Sequence, residues 1–204
     1  DPKQPDIVNR DTLMNPPSYD GKFVLTNPPY LARNKNKNKT LYDHYNCNDL
    51  YKCFIKSISN TGCIGGIIIV PLNFISSIRK SDVELRRHFL KTFNIIKLNI
   101  FEESVFDDTA YSVCSIQFEK STNSMFECTI YPTKKTISLY LHEGNNYTIG
   151  GEIYRLPKST TYKIDRATKN TQRIDCMTNI LVQCIDNNIN NQIQLKMVKD
   201  DDRF

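Results

Sequence analysis

The most constraining feature of this chain is a strand that runs into two consecutive prolines. Phe23-Val24-Leu25-Thr26 is followed directly by Asn27-Pro28-Pro29-Tyr30. The apolar run, bounded by turn signals, reads as a short buried strand. Proline fixes φ, offers no backbone N–H and biases the residue before it towards extended geometry. The strand therefore stops here and leaves rigid backbone at its carboxyl end. In open α/β sheets, that edge is where ligands bind.

The residues at this corner suit one kind of chemistry. The Asn27 side-chain oxygen and the Pro28 carbonyl are acceptors held still by the prolines, and Tyr30 adds an aromatic face. An exocyclic amine on adenine or cytosine, or a carboxamide nitrogen, has a delocalised lone pair and attacks poorly. Acceptors aimed at its two N–H bonds favour a more pyramidal nitrogen. They raise electron density where it must attack the sulfonium methyl of S-adenosylmethionine. Tyr30 is placed to stack on the planar substrate. Asn-Pro and Pro-Pro are also common turn punctuation. The chain carries its own control, Asn15-Pro16-Pro17-Ser18, which lacks the aromatic and follows the weaker strand signal Thr12-Leu13-Met14. The first copy reads as a loop and the second as the site.

Length and composition bound this reading. A chain of 204 residues suits one domain, or one domain with a small appendage. Seven glycines argue against a glycine-rich phosphate loop within the chain, and a net charge of +5 is compatible with a polyanionic partner without requiring one. The seven cysteines show no CxxC and no paired histidine spacing, which favours thiols in a reducing compartment over a disulfide framework or a metal site. No apolar run approaches a membrane span, so an intracellular, soluble chain is expected.

Periodicity predicts alternating elements. Ile7 and Val8 suggest a short strand ending at Asp11, which reads either as a strand-tip acceptor for a nucleoside or as a turn aspartate. A helical pattern spans 40–59, with Asn48 or Asp49 as N-cap and Leu50, Cys53, Phe54 and Ile58 on one face. Residues 62–66 read as a turn. Ile67-Ile68-Ile69-Val70 reads as a central strand covered on both faces. A second helix is expected over 81–93, with the capping signature Ser81-Asp82-Val83-Glu84 and a solvated face at Arg86, Arg87 and His88. Strands follow at 95–100 and 111–118, the last pair suggesting an antiparallel edge. Beyond a linker at 121–124, short strands are expected at 128–131, 136–142, 147–149 and 153–156. A helix over 176–186 and a strand over 192–198 complete the pattern, which is that of an α/β sheet with a β-rich C-terminal region.

This order of motifs resembles the DNA adenine-N6 methyltransferases of restriction–modification type, over about residues 1–120. The resemblance implies a Rossmann-like, S-adenosylmethionine-dependent fold, with a catalytic domain at 1–120 and a β-rich region at 121–204. The latter reads as target recognition or as a plain structural appendage. It also implies that Asn27, Pro28, Pro29 and Tyr30 are catalytic, with Pro29 also near the cofactor. Asp11 looks like the acidic residue at the cofactor adenine, and Leu50 and Phe54 resemble its apolar wall. Val105-Phe106 looks like the motif whose aromatic lies against a flipped base, with Tyr111 in reserve. Ordinary core packing is the alternative for each aromatic. Gly65-Gly66 through Pro71-Leu72-Asn73-Phe74 is similar to the family's scaffold segment.

One departure is plain. The family's glycine-rich cofactor motif is absent, as is the acidic residue for the cofactor ribose, so a further N-terminal portion, domain or subunit is expected to supply them. Arg33, Lys35, Lys37 and Lys39 alternate with asparagines after the tetrad. They read as a flexible basic loop gripping phosphates of double-stranded DNA, or as a solvated low-complexity loop. RNA or protein-glutamine methyl transfer, or a non-catalytic subunit of the same fold, are the rival readings.

Overall fold

The computed structural model describes residues 8–107, 111–121, 125–150, 180–183 and 194–197. The chain divides into two compact units, Asp1–Glu152 and Ile153–Phe204.

The first unit is built on a six-stranded sheet. Its strands are β1 (Phe23–Thr26), β2 (Gly65–Pro71), β3 (Asn94–Phe101), β4 (Val113–Glu119), β5 (Met125–Tyr131) and β6 (Lys135–Tyr140), in the spatial order β1-β2-β4-β3-β5-β6. β1 runs parallel to β2, and β3 parallel to β5. β4 is antiparallel to both β2 and β3, between which it is inserted. The antiparallel member of the expected pair is thus internal, and the sheet edges are β1 and β6. Continuation of the sheet through β5 and β6 carries the first unit past residue 120, so the division falls after Glu152. Strands β1, β2, β3 and β5 share one direction, and their carboxyl ends, Thr26, Pro71, Phe101 and Tyr131, share one edge.

Four helices connect these strands: α1 (Thr40–Tyr45), α2 (Leu50–Asn60), α3 (Asn73–Ser76) and α4 (Lys80–Leu90). The single helical pattern expected over 40–59 is two helices, because Asn46 adopts the left-handed conformation (φ 48°) and ends α1. α2 and α4 bury their apolar stripes against one face of the sheet. Tyr51, Ile55 and Ile58 of α2 join Leu85 and Phe89 of α4 over Ile68, Val70, Ile116 and Leu98. Phe89, Phe93 and Phe118 interlock with ring centroids 4.9–5.3 Å apart. Burial of one such ring stabilises the fold by roughly 1.5–3 kcal/mol. Gly66 lies in β2 rather than in a turn, and a Cβ there would meet the Val24 carbonyl oxygen at 2.3 Å. Glycine is what lets β1 approach β2.

Among the described residues the opposite sheet face is open near β1. Val24 is buried, whereas Phe23 and Leu25 are 54% and 78% exposed, and Ile67 and Ile69 are half-buried. β1 is therefore an edge strand covered on one side, and β2 is covered fully on one face only. The expected solvated face of α4 is corrected at Arg86, which is fully buried. It donates from Nη1 to the Phe74 carbonyl (2.7 Å) and from Nη2 to those of Ser77 (2.6 Å) and Asn146 (3.2 Å). The expected Ser81–Glu84 box does not cap α4. The N-cap is Arg79, and buried Asp82 instead binds the buried Lys52 ammonium and the Ser77 hydroxyl. A periodic pattern marks which residues lie inside but not which charges meet there.

The strand expected at 147–149 is irregular, with Tyr147 at φ 53° after a 3-10 turn, Glu143–Asn145. Val8 lies in no strand; Ile7 and the strand expected at 153–156 fall outside the described residues. In the second unit, β7 (Ile180–Gln183) pairs antiparallel with β8 (Gln194–Met197), so the helix expected over 176–186 is a strand where it is described.

Candidate active site

Asn27 leaves β1 at the carboxyl edge of the sheet, one residue past the last β1–β2 pair, Thr26↔Ile68. Pro28 is buried, Asn27 and Pro29 are exposed, and Tyr30 is half-buried. The corner is thus anchored by one proline and presents the asparagine outward. Tyr30 reaches back across the strand end: its hydroxyl lies 3.1 Å from Asn27 Oδ1 and 3.1 Å from the Ile69 carbonyl oxygen of β2. Its ring packs edge-on against the buried ring of Tyr51, with centroids 6.2 Å apart at 87°. Burial pushes the Tyr30 phenol up to about 12, so it remains neutral and keeps its proton at ordinary pH. Tyr51 is shifted in the same direction, first by burial and then by Asp82 and Asp49 nearby.

Of the three residues expected at the cofactor adenine, Leu50 and Phe54 pack against one small cluster, and Asp11 lies two residues before its Leu13. One oxygen of Asp11, Oδ1, accepts from the backbone N–H groups of Leu13 (2.9 Å) and Met14 (3.0 Å), while Oδ2 takes part in neither bond. Asp11 is therefore a turn aspartate whose second oxygen has no partner among the described residues. Buried Leu13, two residues on, belongs to a small apolar cluster with Tyr42 and Cys53, against which Leu50 and Phe54 pack while remaining partly exposed. Phe106 sits half-buried in the loop after β3, on the same sheet edge as the tetrad, and its carbonyl accepts from the Ser104 hydroxyl at 3.0 Å. Tyr111 is 51% exposed.

The basic loop is tied down, contrary to the flexible segment expected. Arg33 opens a 3-10 turn, Arg33–Lys35, and forms an ion pair with Asp43 at 2.8 Å. The Lys39 ammonium donates to the backbone carbonyls of Arg33 and Asn36. Asn36 donates to the Tyr42 hydroxyl (3.2 Å), and Asn38 Oδ1 accepts from the N–H of Thr40 (2.9 Å). Two of its four cations and two of its asparagines thus serve the loop itself. Lys35 and Lys37 are exposed.

A groove of about 460 Å³ lies between α1, α2 and α4, lined in part by Arg33, Asp43, Lys52, Lys56 and His88 and by no residue of the tetrad. Its cations are already occupied: Arg33 by Asp43, Lys52 by Asp82, and Lys56 by the Tyr45 carbonyl at 2.7 Å. What sequence reasoning missed is the foundation of the corner, namely Tyr51 and the Ile69 carbonyl. An aromatic in α2 and a main-chain oxygen carry no motif.

Comparison with known proteins finds a similarity over the segment that holds these features. Residues 9–106 match the family model described as Eco57I restriction-modification methylase. No curated protein sequence matches the chain. Among solved structures, the type I restriction-modification system methyltransferase subunit from Streptococcus thermophilus is similar at 15% identity and a TM-score of 0.42, over 60% of this chain and 29% of that one. The M protein of the type I restriction enzyme EcoKI is similar at 16% identity and a TM-score of 0.42, over 59% of this chain and 28% of that one. The chain therefore spans less than a third of the length of either structure. The matched residues 9–106 hold Asp11, the proline corner, Leu50, Phe54 and Phe106.

Proposed function

We propose that the chain is part of a site-specific DNA methyltransferase that modifies the exocyclic N6 of adenine. The observation that carries this reading is Asn27, exposed at the carboxyl edge of the sheet beside the half-buried Tyr30 ring, with the Phe106 loop on the same edge. In this reading an adenine turned out of the duplex stacks on Tyr30, and Phe106 bounds its other side. Asn27 Oδ1 and the Pro28 carbonyl accept from its amino group and draw the nitrogen lone pair towards the reacting methyl. Because the two prolines hold these acceptors in place, little reorganisation is needed as the bond forms. The proton leaves the amine after transfer, so no general base is invoked.

S-adenosylmethionine, when bound, supplies the electrophilic methyl. The residues present fit its adenine end: the partly exposed Leu50–Phe54 surface offers an apolar wall, and Asp11 Oδ2 offers an acceptor for an amino group. Pro29 lies between that end and the target base. An additional domain or subunit supplies the remaining cofactor contacts. Lys35 and Lys37 contact DNA phosphates, and the second unit contributes to target recognition. Duplex DNA in the cytoplasm is the substrate.

The test is transfer of a labelled methyl group by the intact gene product to duplex DNA, RNA and protein in competition. Label recovered as N6-methyladenine in duplex DNA is expected. Label in RNA or in protein glutamine would overturn the substrate. Absence of S-adenosylmethionine binding by calorimetry would overturn the enzyme. Removing both loop cations in Lys35→Ala/Lys37→Ala should flatten the salt dependence of DNA binding by about two in log–log slope.

A further inference from the structure

The Tyr30 hydroxyl faces two acceptors with a single hydrogen. The Ile69 carbonyl oxygen is acceptor-only, as is the Asn27 Oδ1 that lies at the same 3.1 Å from the phenol oxygen. Ile69 follows the last rung of the β1–β2 ladder, and its contact with Tyr30 is part-buried, whereas the contact with Asn27 is exposed. A carbonyl without a partner away from water is costly. An exposed carboxamide, by contrast, can turn end for end about its last side-chain bond and exchange oxygen for NH2 with little change of shape. The hydrogen therefore goes to Ile69, and the phenol oxygen is left with lone pairs that call for a donor. The end of Asn27 that matches is Nδ2.

We propose that Tyr30 acts as a positioning residue through its hydroxyl: bridged to the Ile69 carbonyl, it takes a hydrogen bond from the Asn27 NH2 and so turns Asn27 Oδ1 outward to the acceptor amine. The proposal rests on the methyltransferase reading above and deepens it. It gives Tyr30 a role distinct from stacking, since a phenylalanine offers the same aromatic face without the hydroxyl. The supports are local to the corner. The edge of Tyr51 fixes the ring, and burial keeps the phenol protonated, so that the hydrogen for Ile69 is present throughout the working pH range. Without the hydroxyl, the carboxamide has no reason to choose one end over the other. Oδ1 then loses the support that holds it on the amine, and an NH2 turned there opposes the donors that Oδ1 should accept from.

The test is a double-mutant cycle on methyl transfer by the intact protein, using Tyr30→Phe, Asn27→Ala and the pair. Tyr30→Phe should lower kcat by about tenfold, the effect of one lost hydrogen bond in a site, and leave the KM for duplex DNA within about twofold. Added to Asn27→Ala, it should cost nothing further, because the hydroxyl acts only through Asn27. Unchanged kcat in Tyr30→Phe, or the same factor with and without Asn27, overturns the proposal. A second readout needs no turnover: one proton of the Asn27 side-chain NH2 should exchange slowly in the wild type and rapidly in Tyr30→Phe. Equal exchange in both overturns the orientation. If the wild type transfers no methyl group, the enzyme reading falls while the exchange result still decides how the carboxamide is held.

Discussion

The same tripeptide, Asn-Pro-Pro, occurs twice within fifteen residues and meets two different fates. Asn15-Pro16-Pro17 follows a turn closed by Asp11, whose carbonyl accepts from the Asn15 N–H at 2.9 Å, and both Asn15 and Pro16 are exposed. It then runs through Tyr19 and a further turn into β1. Asn27-Pro28-Pro29 leaves a strand, buries its first proline, and is backed by Tyr30 against Tyr51 and Ile69. The prolines stiffen both copies equally. Only the second copy has a sheet edge to be stiff against, and that is what makes its acceptors usable.

Substitution of the two asparagines is the sharpest test of this contrast. Asn27→Ala should lower kcat for methyl transfer by about a thousandfold, the upper end for losing one fixed polar group at a reacting atom. Asn15→Ala should stay within about twofold of the wild type. Comparable losses at both would erase the distinction between loop and site. Next in size is the foundation. Tyr51→Ala empties a buried site beneath Tyr30 and should destabilise the protein by about 3 kcal/mol in denaturant unfolding, whereas Asp11→Ala, beneath the first copy, removes one part-buried and one exposed backbone contact and should cost about 1 kcal/mol. Equal costs would mean that the corner is not built on α2.

The smallest effect is in alkali. The folded-state pKa of Tyr30 is raised to about 12 by burial, above the ordinary value of 10. Its contribution to stability is therefore full below pH 10 and is lost as pH climbs towards 12, where the unfolded chain has released the proton and the folded one has not. A phenolate absorbance titration should show a late component that Tyr30→Phe removes. The first copy has no tyrosine in its fourth position and no counterpart to this component.

Much of the architecture was legible from pattern. The apolar run at 67–70, the amphipathic spacing of α2 and the strands at 95–100 and 111–118 are where periodicity puts them, because burial of one face leaves a repeat in the sequence. Leu50, Phe54 and Asp11 read as one end of a site; Leu50 and Phe54 pack against the cluster of Leu13, whose N–H donates to Asp11. Other readings failed for reasons equally local to physics. Arg86 reads as a surface charge and Asp82 as part of a capping signature, yet both are buried, Arg86 donating from Nη1 and Nη2 to carbonyls of other segments, and burial lowers its guanidinium to about 10. The basic loop looked flexible because its composition is polar, but its own carbonyls and Asp43 occupy Arg33 and Lys39. The break between α1 and α2 depends on one left-handed asparagine, a conformation that composition permits without demanding.

The position of the corner and its stiffness were settled by covalent and steric rules acting within a few residues. A proline pair ends a strand wherever it stands, and an aromatic after it lies close by. Which atoms the aromatic meets was settled elsewhere. Ile69 is 39 positions from Tyr30, and the two meet only because β1 and β2 pair in parallel through the narrow passage at Gly66. Dihedral preferences belong to single residues, but a hydrogen bond between distant residues exists only once the sheet register has been chosen.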